Sequence, residues 1–261
     1  MAFYKALENI ELKKYSEVNS ETFAVIFYSK TSFKSNSLFD KDMKQKVSAY
    51  FEDEKRSSML LSKELTGDAR DVLVVKDFDA KKPKHKKYTW MNNIFLGLEK
   101  YGVVNASIYA DTSNLIKDKN FVFDLAKIAE KATYRYTDTN PNTKSEAVLK
   151  TLDICVEKSN ASLMKSVEHG FNLGRGANTA RNLGNRPANH ATPTYIANHI
   201  NDLAKEIGGF TVEILEEKDM KKLGMGSLLS VSEGSVEPAK LVTMQYKGGK
   251  KDAKPIVLVG K

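Results

Sequence analysis

The run of four aliphatic residues from Ile256 to Val259 is the feature that most constrains the fold of this chain. Pro255 precedes the run, Gly260 follows it, and three of its four side chains are β-branched. A short apolar run between two helix-breaking residues is typical of a strand buried on both faces, as in a parallel sheet covered by helices. We therefore expect a buried strand over residues 255–260 and an α/β fold.

Strand-like and helix-like segments also alternate through the first part of the chain. Residues rich in Val, Ile, Phe and Tyr predict strands, and apolar residues spaced three and four apart predict amphipathic helices. The predicted strands are 21–29, 71–75, 106–110 and 147–156, and the predicted helices are 37–54, 89–100 and 120–133. This alternation predicts an N-terminal α/β domain over residues 1–158.

After residue 158 the pattern of apolar and small residues in the sequence changes. It predicts a long linker helix over 162–185, although three glycines weaken that prediction. A turn rich in Pro and Asn follows, and then a helix over 193–207, a strand over 210–215, a short helix over 217–223 and a strand over 239–246. We interpret residues 159–261 as the linker helix and the opening part of a second α/β, mixed-sheet domain, and we expect the chain to be truncated from a longer protein.

Composition excludes several classes of protein. No apolar run approaches the ~18 residues that a membrane-spanning helix needs, and the N-terminus mixes Glu and Lys, unlike a signal peptide. The single cysteine, Cys155, forms no internal disulfide and lies in an apolar, strand-like setting, so we expect a buried, inert thiol. These features predict a soluble, cytoplasmic protein without a membrane partner.

The positive charge of the chain leaves two interpretations open. Net charge is +8, from 41 Lys and Arg against 33 Asp and Glu, and part of the excess is the run from Lys81 to Lys87. Such a run can bind the phosphates of DNA, or it can be a solvated loop between two strands. We favour the loop, because the run has no interleaved aromatic residues.

The motifs of several common enzyme classes are absent. The sequence has no glycine-rich dinucleotide or phosphate-binding motif and no defensible trio of Ser, His and acid. The four histidines have no spacing typical of a metal site, and we interpret them as structural or surface residues: His85, His169, His190 and His199.

Four motifs in the second part of the chain carry a family resemblance. They are Asn185-x-Pro187-x-Asn189-x-x-x-Pro193, Leu223-Gly-Met-Gly-Ser-Leu-Leu-Ser-Val231, Gly234-Ser-x-x-Pro238 and Val259-Gly-Lys261. In order and spacing, over about 80 residues, they resemble the leucyl aminopeptidase (cytosol aminopeptidase) family.

The resemblance implies a metalloaminopeptidase that releases N-terminal amino acids, leucine typically preferred, from peptide substrates. It implies a homohexamer and two divalent ions per subunit in the full-length protein: zinc, manganese or magnesium. In the family the lysine of the Val-Gly-Lys strand end is a metal ligand, which makes Lys261 the metal-site residue here. Such an amine needs a free lone pair, and burial beside a dication lowers its pKa accordingly.

The sequence departs from the family after Lys261. The Thr-Phe-Asp-Ser-Gly-Gly and Asn-Thr-Asp-Ala-Glu-Gly-Arg segments, which supply the other ligands and an active-site arginine in the family, are absent. We therefore assign no catalytic residue within this chain and expect this portion alone to be inactive. Two alternatives stay open: DNA binding through the basic N-terminal domain, and a non-catalytic role as an assembly partner.

Overall fold

A computed structural model describes residues 6–29, 33, 39–66, 70–118, 120–139, 148–250 and 252–260. The described residues form two compact units, one up to residue 182 and the other from residue 183 onward. This division by compactness does not test the predicted domain boundary at residue 158, which stays a prediction. No helix in these ranges is long and apolar enough to cross a membrane.

The first unit is a six-stranded sheet with helices. Its strands run in the order β1-β6-β5-β2-β4-β3, and all neighbours are parallel except β3, which is antiparallel to β4. The strands are β1 (Asn9–Lys14), β2 (Phe23–Tyr28), β3 (Ser58–Leu61), β4 (Val72–Lys76), β5 (Asn105–Tyr109) and β6 (Thr151–Val156). The helices are α1 (Lys41–Tyr50), α2 (Lys63–Thr66), α3 (Lys84–Lys100), α4 (Phe121–Ala132) and α5 (Ala161–Asn185).

Alternate side chains of the central strands fill two cores. Val25 and Phe27 of β2 belong to the cluster that includes residues of α3 and α4, whereas Ala24 and Ile26 belong to the cluster that includes Val47 of α1. Successive strand residues point to opposite faces of the sheet. When both faces are covered, every residue of a central strand is buried, and the strand is therefore apolar without interruption. The predicted α/β fold class is confirmed.

Helix α5 packs closely on α4 through two glycines. A Cβ atom at Gly170 would lie 2.2 Å from the carbonyl oxygen of Phe123, and one at Gly174 would lie 2.8 Å from the Cβ of Glu130. Glycines lower helix propensity, and for this reason they weaken the prediction of this helix from the sequence. In the folded protein they permit the approach of the two helices.

A buried carboxylate holds the beginning of the described chain against these helices. Glu130 accepts hydrogen bonds from the backbone N–H groups of Ala6 and Leu7, at 2.8 and 2.9 Å. The Asn178 amide of α5 donates to its carbonyl at 2.7 Å and to its carboxylate at 3.2 Å. Burial raises the pKa of Glu130, and these donors offset part of that rise.

The basic run corrects one prediction. Residues 84–87 are not a loop, because α3 begins at Lys84, with Pro83 at the N-cap position. Lys87 is buried, and its Nζ lies 3.1 Å from carboxylate oxygens of both Asp118 and Asp124. An ammonium group that is removed from water needs such partners, so its charge is satisfied inside the fold.

The second unit contains fewer elements. Its helices are the end of α5, α6 (Pro193–Ile207), α7 (Glu217–Lys222) and α8 (Gly226–Ser230), and its strands are β7 (Phe210–Glu216) and β8 (Lys240–Tyr246). The two strands form an antiparallel pair in which Phe210 faces Tyr246 and Glu216 faces Lys240.

The final apolar segment corrects the opening prediction. Residues 253–260 form no strand, and Ile256 and Leu258 are 91% and 93% exposed. Strand-like composition creates a strand only where a neighbouring backbone and a packing layer are available. Within the described part of the chain, neither is available to residues 255–260.

Candidate functional site

The turn that leads into α6 has the structure that its Pro and Asn residues predict. The N–H groups of His190 and Ala191 both donate to the carbonyl of Pro187, at 2.9 Å. Thr192 then caps α6, and its hydroxyl oxygen accepts a hydrogen bond from the N–H of Tyr195 at 3.2 Å. The turn and the N-cap thus position the start of α6.

The strand pair β7–β8 is anchored at one end by charge. Lys240 of β8 forms an ion pair with Glu216 of β7. The next residue, Glu217 at the start of α7, accepts a hydrogen bond from the N–H of Ala239 at 2.9 Å. These contacts bring the segment that carries Gly234 and Pro238 back to the end of the strand pair.

At the other end of the pair lies an open cavity of about 1130 Å³. It is bounded by β8, by the loop that follows β8 and by the exposed segment 255–258. Its lining is mainly apolar but contains lysines, and it includes Val242, Met244, Tyr246, Lys250, Ile256 and Leu258. The cavity places β8 beside the chain that leads to the predicted metal-site residue.

The predicted metal-site residue itself, Lys261, lies outside the described residues. Within the described residues there is no group of three or more His, Cys, Asp or Glu side chains that could hold a metal ion. A dinuclear site needs several such ligands around each ion. The described residues therefore do not fit a complete metal centre, and no catalytic step can be derived through one.

None of the four histidines belongs to a group of metal-binding side chains among the described residues. His85, His169 and His190 are exposed. His199 stacks on Tyr195 with a centroid distance of 6.1 Å, and the guanidinium carbon of Arg186 lies 4.8 Å from the centroid of that ring. Burial and the nearby positive charge of Arg186 lower the pKa of His199. The arrangement is a packed stack, in agreement with a structural role for His199.

Cys155 is not a reactive nucleophile in this fold. Its side chain is fully buried in β6, and burial, together with the Asp153 carboxylate, raises its pKa to about 12. Since the thiolate is the reactive form, this thiol is inert at neutral pH. The prediction of a buried, inert cysteine is confirmed.

Comparison with known proteins identifies the second part of the chain. Residues 178–261 match the sequence model of the family described as "Cytosol aminopeptidase family, catalytic domain". A probable cytosol aminopeptidase from Nitrosococcus oceani is 43% identical over 142 residues, which are 52% of this chain and 28% of that protein. Its counterpart in Pseudomonas fluorescens (strain Pf0-1) is 36% identical over 169 residues, 64% of this chain and 32% of that protein.

Solved structures agree at the level of the fold. A mutant of tomato leucine aminopeptidase matches with a TM-score of 0.72 at 16% identity, covering 94% of this chain and 52% of that one. Leucyl aminopeptidase from Trypanosoma cruzi matches with a TM-score of 0.64 at 14% identity, covering 94% and 49%.

The matches cover only part of each known protein. The chain spans less than a third of the length of these two curated relatives and about half the length of the solved structures. DNA binding, the alternative left open by the charge of the chain, is not favoured by any of them. The resemblance read from the motifs is confirmed: residues 178–261 match the catalytic domain of the cytosol aminopeptidase (leucyl aminopeptidase) family.

Proposed function

We propose that this chain is part of an aminopeptidase that releases N-terminal amino acids, leucine typically preferred, from peptides. The observation that carries the proposal is the family match over residues 178–261, together with relatives named as probable cytosol aminopeptidases. The four sequence motifs support it, because they occur in this same stretch in the order and spacing of the family.

The proposal includes a metal-dependent mechanism. Lys261 is a metal ligand, and two divalent ions, zinc, manganese or magnesium, are bound only when the other ligands are supplied by the full-length protein. When bound, such ions polarise a scissile carbonyl and lower the pKa of a water. We further propose a homohexamer located in the cytoplasm, acting on peptide substrates.

The decisive experiment starts with the mass of the protein isolated from its source. We expect an intact mass well above the 29.2 kDa of this sequence. Leucine amide hydrolysis is then measured with the isolated protein after addition of Mn²⁺ or Zn²⁺. We expect metal-dependent release of leucine that chelation abolishes and metal restores.

The test variant is Lys261→Ala, and the matched control is Lys254→Ala, which replaces an exposed lysine in the same part of the chain. Loss of activity is expected only in the first variant. Full activity in Lys261→Ala would overturn the ligand assignment, and no hydrolysis after metal restoration would overturn the aminopeptidase proposal.

The 261-residue chain alone provides a second arm. We expect it to release no leucine at any metal concentration, because the described residues contain no group of three metal-binding side chains. Metal-dependent turnover by this chain would contradict the expectation that the portion is inactive by itself.

A further inference from the structure

The first unit contains an open cavity that the proposed peptidase function does not use. It has a volume of about 490 Å³ and lies where β2 and β5 begin, at the amino-terminal end of these strands. Residues 101–105, which follow the end of α3 at Lys100 and lead into β5, form one wall.

Three large hydrophobic side chains form an exposed rim around this cavity. Leu60 is 44% exposed, and Tyr101 and Val104 are each 47% exposed. They belong to the unit that encloses two hydrophobic cores. Apolar side chains gathered around a concavity mark a contact surface more often than the same residues scattered singly.

The charge of the lining is opposite to that of the chain. Its ionisable side chains are Glu21 and Asp71, and no Lys, Arg or His is among the described residues that line it. This contrasts with a chain of 41 Lys and Arg against 33 Asp and Glu. A concave surface of one charge focuses the field that attracts the opposite charge.

The acidic lining is also fixed in position by the fold. The Asp71 carboxylate accepts the N–H of Lys63 at 2.9 Å, and the Asp71 carbonyl accepts the N–H of Ala24 at 2.9 Å. Glu21 follows a turn in which its own N–H donates to the Asn19 side chain at 2.9 Å. Both acidic residues that line the cavity therefore have backbones that hydrogen bonds hold in place.

We propose that this cavity docks a segment of another protein in which a lysine or arginine side chain is flanked by aliphatic residues. The cation lies between Glu21 and Asp71, where a carboxylate on either side offsets its desolvation. Tyr101 contributes an aromatic ring beside it, and the aliphatic neighbours cover Leu60 and Val104. The partner is identified by this chemistry: apolar with a central positive charge.

The test is an NMR titration of the isotope-labelled 261-residue chain with N-acetyl-Leu-Arg-Leu-amide, without added metal. We expect saturable shifts of the amides of residues 19–23 and 101–105, with weak, millimolar affinity. N-acetyl-Leu-Glu-Leu-amide is the matched probe and is expected to cause none. Absence of shifts with the arginine peptide, or equal shifts with both peptides, would overturn the proposal.

The variant Glu21→Lys tests the charge at the same site. Because charge reversal replaces attraction by repulsion, we expect it to weaken binding of the arginine peptide at least about tenfold. Glu168→Lys, an equal charge reversal at an exposed residue of α5, is expected to leave binding unchanged. An equal loss in both variants would show a general charge effect and would reject the site.

Self-association is a separate outcome, measured by sedimentation velocity over a range of protein concentrations. A dimer of this chain that Glu21→Lys abolishes would overturn the choice of a different protein as the partner. Both acetylated peptides lack a free amino terminus, and the titration contains no metal. Its failure would therefore not be a failure of the aminopeptidase proposal, which rests on metal-dependent release of leucine.

Discussion

The two compact units differ in how completely they bury their apolar residues. In the first unit, helices and a six-stranded sheet enclose two hydrophobic clusters, one on each face of the sheet. Among the described residues from 183 onward, the fully or nearly fully buried hydrophobic residues are only Ala197 and Met220. Secondary structure therefore forms in both regions, whereas tertiary burial is extensive in only one.

This difference leads to the largest expected effect, a contrast in local stability. We expect backbone amides of β2 and β5 to exchange hydrogen at least about 100-fold more slowly than those of β7 and β8, because opening a buried strand exposes a core. Hydrogen exchange followed by mass spectrometry, corrected for intrinsic rates, measures this. Equal protection in the two strand pairs would show that burial does not set their local stability.

A substitution in α5 tests how tightly the first unit is packed. Gly170→Ala is expected to destabilise the protein by about 3 kcal/mol, because its new methyl group would lie 2.2 Å from a backbone oxygen of α4. The matched control is Gly176→Ala in the same helix, where the new Cβ meets nothing within 4 Å. There we expect a gain of about 0.5–1 kcal/mol from helix propensity.

Urea unfolding monitored by circular dichroism measures both variants. If Gly170→Ala had the small effect expected of Gly176→Ala, α5 would not approach α4 as closely as the structure indicates.

Two valines compare the regions directly. Val74→Ala in β4 removes two buried methyl groups and is expected to cost about 2 kcal/mol of unfolding free energy. Val257→Ala, in the exposed final segment, is expected to change that free energy by less than about 0.5 kcal/mol. Thermal or urea unfolding distinguishes the two. A large effect at Val257 would indicate a contact for this segment that the described residues do not provide.

The smallest effect concerns Cys155 and pH. The folded pKa of about 12 lies above the ordinary value of 9.0. The native state therefore retains the proton longer than the unfolded state, and this contribution to stability is present below pH 9 and lost as pH rises towards 12. At pH 8 we expect a thiol reagent to label the unfolded protein at once and the native protein only slowly. Rapid native labelling would contradict the buried position.

Local patterns in the sequence predict much of this fold. The strands β2, β4 and β5 and the helices α4 and α6 agree with their predicted positions to within a few residues, because strand composition and helical periodicity are properties of the segments themselves. The cap of α6 by Thr192 and its end at Gly208 are similarly local signals. The family motifs could be recognised for the same reason, since they are contiguous.

Features that depend on distant partners could not be predicted in this way. Strands β1 and β3 lie at the two edges of the sheet, and the sequence patterns predict neither of them. Charged residues interrupt the apolar pattern of β1, and β3 is only four residues long. Lys87 was assigned to a loop, because nothing near it in the sequence shows that Asp118 and Asp124 neutralise it. The prediction that residues 256–259 are buried is wrong for a related reason. An apolar composition shows that a segment can pack against a partner, and it does not show that a partner is present.

The parallel pairing of β1 with β6 has a consequence for the order in which the protein is assembled during synthesis. Ile10 lies opposite Leu152, and Leu12 lies opposite Ile154. Strand β1 therefore leaves the ribosome about 140 residues before its neighbour β6 has been made. Until then Ile10 and Leu12 remain without their sheet partner, so β1 is exposed to misassociation for longer than a strand whose neighbour follows closely in the sequence.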